Sequence, residues 1–276
     1  MTVPANRMHP AAPRTSAVIC VHSSASSARQ WSPLQEALGA GYRVLAPDLL
    51  GYGAAPAWHA ERPLSLDDEA REIEPLIAAE PDGVHLVGHS YGGAVALHLA
   101  LRNPGRVKSV SIYEPALFNL LGEDTARRAA AAEISAVRFA VRRAVYSGRA
   151  DFAAHMFVDY WSGLGAWHAL PEKRQQGIIA RMRKVDSEFD AVFHNPMSLA
   201  TYRRISVPVL GLLGSVTRRP PREILDLLGT VLPNVTRREI AGAGHLGPLT
   251  HTDDVNGRIR EFLNSHEVRA PLARAA

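Results

Sequence analysis

The chain has 276 residues, 46% of them hydrophobic and 21% charged. That is an ordinary globular composition, which excludes a disordered or fibrous chain, and the length suits one α/β domain carrying an insertion as well as two units. Cys20 is the single cysteine, so an intrachain disulfide framework is excluded, and Lys plus Arg exceed Asp plus Glu by only 31 to 27, a formal +4. So weak a field reads as a solvated basic surface: no zinc-finger spacing, RNP1 box or polybasic run marks a nucleic-acid partner, and no membrane face is expected. The longest apolar runs are of about five residues, as in Ala17 to Val21, far below the roughly 18 a membrane span needs. Three prolines and no apolar h-region in the opening stretch leave no sign of a secretory signal, so a cytoplasmic location is the expectation.

Along the chain, short β-branched, nearly all-apolar runs alternate with helical patterns. Strands are expected at Ala17–His22, Tyr42–Ala46, Val84–Gly88, Val107–Tyr113, Val207–Leu213 and Val235–Ile240. Apolar residues at almost every position suit strands buried on both faces, as in a parallel sheet covered by helices. Helices are expected at Trp31–Leu38, at Leu66–Ala79 behind a capping-box-like Ser65-x-x-Asp68 and with a kink at Pro75, and at Tyr91–Arg102. Arg222–Leu228 and Val255–Asn264 complete the series, with Asp253 and Asp254 expected to cap the last helix. Alternation with short loops predicts an open, doubly wound, mostly parallel α/β sheet.

One region breaks the alternation. From about Glu123 to Pro196 only helical patterns appear, and residues 123–200 are expected to form a helical insertion between core segments 1–122 and 201–276. Arg138, Arg142 and Arg143 there read as a solvated face, with anion recognition the competing reading. The aromatics Phe152, Phe157, Tyr160, Trp161 and Trp167 read as insertion core, some of them doubling as ligand wall. Trp161, Met156 and Trp167 are the expected substrate contacts.

The sharpest chemical signal is Gly88-His89-Ser90-Tyr91-Gly92, a G-x-S-x-G pattern between an expected strand and an expected helix. A serine on so sharp a turn needs small neighbours, and its place at a helix N-terminus favours developing negative charge. A serine hydroxyl is a poor nucleophile without a base. Among the 12 histidines, His245 stands out in the glycine-rich Gly242–Pro248 loop between the last strand and last helix. Gly242, Gly244 and Gly247 also match G-x-G-x-x-G, but Pro248 and a loop follow where a dinucleotide fold needs a helix. No H-E-x-x-H occurs, so no metal site is expected.

With these motifs in order, the sequence resembles the α/β-hydrolase superfamily over about residues 17–265. Val21-His22-Ser23-Ser24 with Trp31 resembles its oxyanion loop, Pro47–Gly53 its P-D-x-x-G-x-G block, Gly88–Gly93 its nucleophile elbow, and Gly244-His245 its histidine loop. The resemblance implies a cap over the sheet and a serine hydrolase of small-molecule carboxylic esters, thioesters or lactones, without cofactor. It implies Ser90 as nucleophile, His245 as base, and the N–H groups of Ser24 and Tyr91 as oxyanion donors. Carbon–carbon bond hydrolysis or cofactor-free haloperoxidase chemistry uses the same residues, and a ligand-binding receptor with little turnover is the non-enzymatic alternative.

Three departures from the family pattern stand out. Ser23 replaces the usual glycine of the first motif. Few residues precede the first strand, so the family's initial antiparallel hairpin is expected to be absent or irregular. The turn that usually carries the acid reads Gly214-Ser215-Val216-Thr217, without a carboxylate. A base histidine needs an acceptor behind it. Glu114, directly after the fourth strand and held extended by Pro115, is the expected acid, the alternative being an ion pair between Glu114 and an insertion arginine. Asp48 is expected to anchor its loop.

Overall fold

A computed structural model describes residues 15–58 and 62–267. Strand β1 (Ser16–Val21) leads through α1 (Ser32–Leu38) to β2 (Tyr42–Leu45), and α2 (Leu66–Ala78) leads to β3 (Val84–His89). Helix α3 (Tyr91–Arg102) then joins β3 to β4 (Val107–Tyr113). Four helices follow before the next strand: α4 (Arg128–Tyr146), α5 (Ala150–Ser162), α6 (Glu172–Ile179) and α7 (Met182–Phe193). The chain ends its regular structure with β5 (Val209–Gly214), α8 (Arg219–Val231), β6 (Val235–Ile240), the short α9 (Gly247–Thr250) and α10 (Thr252–His266).

The strands form one sheet in the order β2-β1-β3-β4-β5-β6, every neighbouring pair parallel. Residues β3 and β5 are buried at every position, as strands covered on both faces must be. Trp31, Leu34 and Leu38 of α1 and its lead-in pack with Val255, Ile259, Phe262 and Leu263 of α10 on one face. The larger cluster, with Ile73, Leu97, Ile134 and Leu228, covers the other. Fully burying aliphatic side chains such as Ile19, Leu86 and Ile112 contributes roughly 1.5–3 kcal/mol each.

The expected fold class is the one observed, an α/β sheet wound in both directions. The chain runs outward from β1 to β2, then crosses back to β3 on the other side. The strand order therefore reverses at β1/β3, and a crevice opens there beyond the carboxyl ends of the strands. Ser24 follows β1 and Ser90 follows β3, so both residues flank this crevice.

Local differences from expectation have local causes. Helix α8 starts at Arg219 because Pro220 and Pro221 occupy its first turn, where the missing N–H groups cost nothing. Asp253 and Asp254 lie inside the first turn of α10 beside its positive end and do not cap it; the cap position belongs to His251. Ser65 does cap α2 as expected, its N–H donating to the Asp68 carboxylate over 3.0 Å, and α2 continues through Pro75 as one helix. Arg138 and Arg142 are engaged by Asp186 and Asp190 across α4 and α7, so they bind structure and face no ligand. The expectation about an opening hairpin falls partly on residues 1–14, outside the described residues; among those described, every strand pairs in parallel. No described helix is long and apolar enough to cross a membrane.

Candidate active site

Ser90 sits between β3 and α3 with φ +55° and ψ −118°, a conformation that side chains other than glycine's rarely adopt. The neighbouring glycines make this possible: a Cβ on Gly92 would overlap the carbonyl oxygens of Val21 and His22, and one on Gly88 would overlap that of Gly92. Close approach of α3 to the end of β1 is therefore written into the motif. Only Ala25, Ser90 and Glu114 among the described non-glycine residues have positive φ, and they follow the carboxyl ends of β1, β3 and β4; at φ +46° Glu114 is left-handed and not extended as Pro115 led one to expect. Backbone strain gathered at one place is the pattern of a functional site.

The Ser90 hydroxyl lies 2.9 Å from His245 Nε2, and His245 Nδ1 lies 2.7 Å from Glu114 Oε2. All three side chains are buried. A carboxylate only accepts, so His245 Nδ1 carries the hydrogen and Nε2 is left to accept from Ser90. Glu114 in turn accepts from the Gly214 N–H at 2.8 Å and from the Thr217 hydroxyl at 2.7 Å. The acid-free turn after β5 thus supplies two donors to a carboxylate reaching it from β4. The competing reading, Glu114 paired with an insertion arginine, is not what the structure contains.

A second line of hydrogen bonds holds the loops in register. Ser23 donates both its N–H (3.1 Å) and its hydroxyl (3.0 Å) to Gln30 Oε1. The Gln30 amide must then donate to His89 Nδ1, 3.1 Å away, which makes His89 Nε2 the donor to the His245 carbonyl at 2.8 Å. The Tyr113 hydroxyl donates to the Gly244 carbonyl at 2.7 Å. The Ala25 N–H donates to the Tyr52 hydroxyl at 3.0 Å, and Asp48 accepts from Ala28 and Ala54, anchoring its loop as expected. Ser23 in place of glycine therefore gains a partner that a glycine lacks. The Ser24 N–H has no acceptor among the described residues, and Tyr91 N–H opens α3, where no intrahelical acceptor exists.

Burial sets the charge states of this second line. Desolvation pushes the His89 imidazole well below its usual range, with the neighbouring His245 adding to the effect, and desolvation lowers His22 too. A histidine whose pKa falls on folding is protonated more readily when unfolded, so stability is complete above about pH 6.5 and declines below it. For His89 this amounts to about 1 kcal/mol between pH 6.5 and 5.5, with His22 acting in the same direction. Urea titrations at the two pH values are expected to show at least that loss; equal stabilities would mean that folding leaves the protonation of both rings unchanged.

Two cavities meet at Ser90. The inner one, of about 20 Å³, is lined by Ser24, Tyr91, Phe118, Phe157, Trp161, Phe189 and Glu188. The outer cleft, of about 680 Å³, runs from Ser90 and His245 between the Ser23–Gln30 loop and helices α5 and α6. Trp161 lines both, its ring stacked on His245 at 4.0 Å between centroids. Of the three expected substrate contacts only Trp161 faces the site. Trp167 turns away, its ring buried against His155 and its backbone N–H donating to Asp159, and Met156 packs against the core. Helical phase is the reason: Phe157 and Trp161, four apart on α5, share the face that meets the cleft, and Met156 does not.

Sequence reasoning did not single out Gln30, Tyr52 or Thr217. Each acts through a polar contact with a distant segment, and nothing local to the sequence signals such a contact. His89, inside the elbow motif, ties one loop to another through Gln30 and the His245 carbonyl.

The family model described as "Alpha/beta hydrolase family" matches residues 18–258. A pimeloyl-[acyl-carrier protein] methyl ester esterase of Serratia marcescens is 26% identical over 90% of this chain and 94% of its own length. The lipase LipV of Mycobacterium tuberculosis is 38% identical, in a match spanning 36% of this chain and 37% of the lipase. Among solved structures, MenH from S. aureus aligns with a TM-score of 0.73 at 17% identity, over 92% of this chain and 95% of that one, a likeness of fold alone. With a family model matched along most of its length and a sheet of the same architecture, the chain belongs to the alpha/beta hydrolase family.

Proposed function

We propose that the protein hydrolyses a small-molecule ester-type substrate, a carboxylic ester, thioester or lactone, through an acyl-serine intermediate. The observation that carries this reading is the continuous hydrogen-bonded line from Ser90 through His245 to Glu114. Ser90 Oγ attacks the acyl carbon while His245 Nε2 takes its proton. Glu114 holds the imidazole in the required tautomer and stabilises the imidazolium. The N–H groups of Ser24 and Tyr91 receive the oxyanion, an interaction whose loss typically costs about 10²–10³ in rate. His245 passes its proton to the leaving oxygen or sulfur, then activates the water that releases the acid. The full-length likeness to a methyl ester esterase supports ester chemistry in particular.

A receptor with little turnover would have no need of an acceptor behind the histidine, and Glu114 is there with both oxygens engaged. The experiment is labelling with a fluorophosphonate, which reports an activated serine. The wild-type chain is expected to label rapidly and Ser90→Ala not at all, with p-nitrophenyl acetate hydrolysis lost alongside. Equal labelling of both proteins, or of neither, would overturn the assignment.

A further inference from the structure

The outer cleft carries an uncompensated charge. Arg29, Lys173, Arg174 and Arg181 line it together with Ser90 and His245, and no aspartate or glutamate does. Several arginines elsewhere are neutralised in pairs, Arg102 with Asp67 and Glu74, Arg142 with Asp186 and Arg222 with Glu239, whereas the four cations in the cleft converge on one concavity. None of the four cleft cations forms an ion pair among the described residues. Arg29, Lys173 and Arg174 are exposed, and Arg181 is half-buried, its guanidinium over the Tyr52 ring and 3.5 Å from the Ala25 carbonyl. Glu172 precedes Lys173 on α6 but does not line the cleft. Like charges gathered around a concave mouth focus their field into it.

The two cavities differ in what they accept. The inner one is walled by Phe118, Phe157, Phe189 and Val192, and the carboxylate of buried Glu188 faces it, with Glu188 Oε2 lacking a hydrogen-bond partner among the described residues. That arrangement suits an apolar group and repels an anion. His245 lines the outer cleft and not the inner cavity. A leaving group must lie beside His245 Nε2 to collect its proton, so it leaves through the basic cleft and the acyl group occupies the inner side.

We infer that the enzyme selects substrates whose leaving group carries an anion, a carboxylate or phosphate, held at the cleft mouth by Arg29, Lys173, Arg174 and Arg181. The inference rests on the acyl-serine reading above. Hydrolysis then breaks the acyl C–O or C–S bond, water supplies the hydroxyl of the released acid, and the His245 proton goes to the anionic alcohol or thiol.

The test compares kcat/KM for 4-acetoxybenzoate and its neutral counterpart 4-acetoxybenzamide, and in parallel 4-nitrophenyl hydrogen glutarate against 4-nitrophenyl pentanoate, which move the charge to the acyl side. At about 20 mM salt the anionic leaving group is expected to gain about tenfold, shrinking toward unity at about 0.5 M. The anionic acyl group is expected to gain nothing. In the double variant Arg29→Gln/Arg174→Gln, both exposed positions, the leaving-group ratio is expected to fall toward one, with thermal unfolding confirming the fold. A ratio of one or less in the wild type, an unchanged ratio in the variant, or a larger gain for the glutarate ester would each overturn the inference. Calorimetric titration with 4-hydroxybenzoate and 4-hydroxybenzamide reads the same preference without turnover. Failure of all four esters together with absent fluorophosphonate labelling would sink the acyl-serine reading, while the calorimetric preference would still decide the anion site.

Discussion

Glu114→Gln is expected to lower kcat by about 10³–10⁴ while leaving KM and the fold nearly unchanged. The size follows from what an amide cannot do in this position. Both carboxylate oxygens of Glu114 accept, one from the Gly214 N–H, the other from Thr217 and His245. An amide offers one acceptor and one donor group. With its oxygen toward His245, its NH₂ meets the Gly214 N–H head-on. With its NH₂ toward His245, the imidazole must accept at Nδ1 and so carries its hydrogen on Nε2, where it no longer takes the proton of Ser90. Either arrangement disables the base without touching substrate, which is why kcat and not KM should respond. The turn after β5 supplies a control: in Glu114→Ala/Thr217→Asp, a carboxylate returns beside the same His245 nitrogen. That variant is expected to recover at least about tenfold over Glu114→Ala, since a correctly tautomerised histidine is what was lost. Steady-state kinetics on p-nitrophenyl acetate measure both, and a parental rate in Glu114→Gln would show that another acid serves.

The inner strands of the sheet were legible because they are buried on both faces. Val107–Tyr113 is found at the limits its apolar run marks, and the edge strand Val235–Ile240 has the expected limits although Arg237, Arg238 and Glu239 on it are exposed. Helix ends were less so: the signal for α8 begins with its apolar face, and two prolines hide a first turn that lies upstream. Ser90 and His245 were legible since each stands in a glycine-rich junction whose residue types follow from backbone geometry. Glu114 was found by a different route. The usual acid turn held no carboxylate, and Glu114 stood directly after the preceding strand, a position where some members of the family carry their acid.

What stayed hidden is what depends on contacts between segments far apart in the chain. Gln30 bridges the first loop to His89, and Thr217 reaches back to a residue 103 positions earlier. The insertion arginines looked like free charge, and the structure spends Arg138 and Arg142 on Asp186 and Asp190. The cations that line the cleft are instead Arg29, Lys173, Arg174 and Arg181, on a loop and on helices whose pattern does not mark them out. Trp167 and Met156 were misjudged for the same reason, because residue type says what a side chain tends to do and not which way its helix turns it.

Lys184→Met is expected to destabilise the protein by about 3–5 kcal/mol at pH 7, the usual cost of leaving buried charge without its partner. The Lys184 ammonium lies 2.7 Å from Glu69 and 3.0 Å from Glu188, with all three side chains buried. Desolvation opposes the lysine's charge, but the Glu188 and Glu69 carboxylates outweigh it and hold its pKa above the usual value. Burial raises the Glu69 pKa even with the ammonium present, so removing Lys184 strands two carboxylates that repel each other. The folded Glu69 pKa, already raised, then stands further above the unfolded one, and such a group favours the fold at low pH and loses that contribution as pH rises through the folded pKa. The deficit of Lys184→Met relative to wild type should therefore shrink from pH 7 to pH 5, whereas a loss of packing would be the same at both. Adding Glu69→Gln and Glu188→Gln to the variant should recover most of the stability, because neutral groups leave no unpaired charge behind. The network also reaches the site: the Tyr91 hydroxyl donates to Glu69 at 3.2 Å, one residue past Ser90, while Lys184 and Glu188 belong to α7 above it. A drop in kcat alongside the lost stability is accordingly expected, and urea denaturation at the two pH values, with p-nitrophenyl acetate kinetics on the folded variant, measures both. A deficit independent of pH would show that Lys184 serves by its bulk and not by its charge.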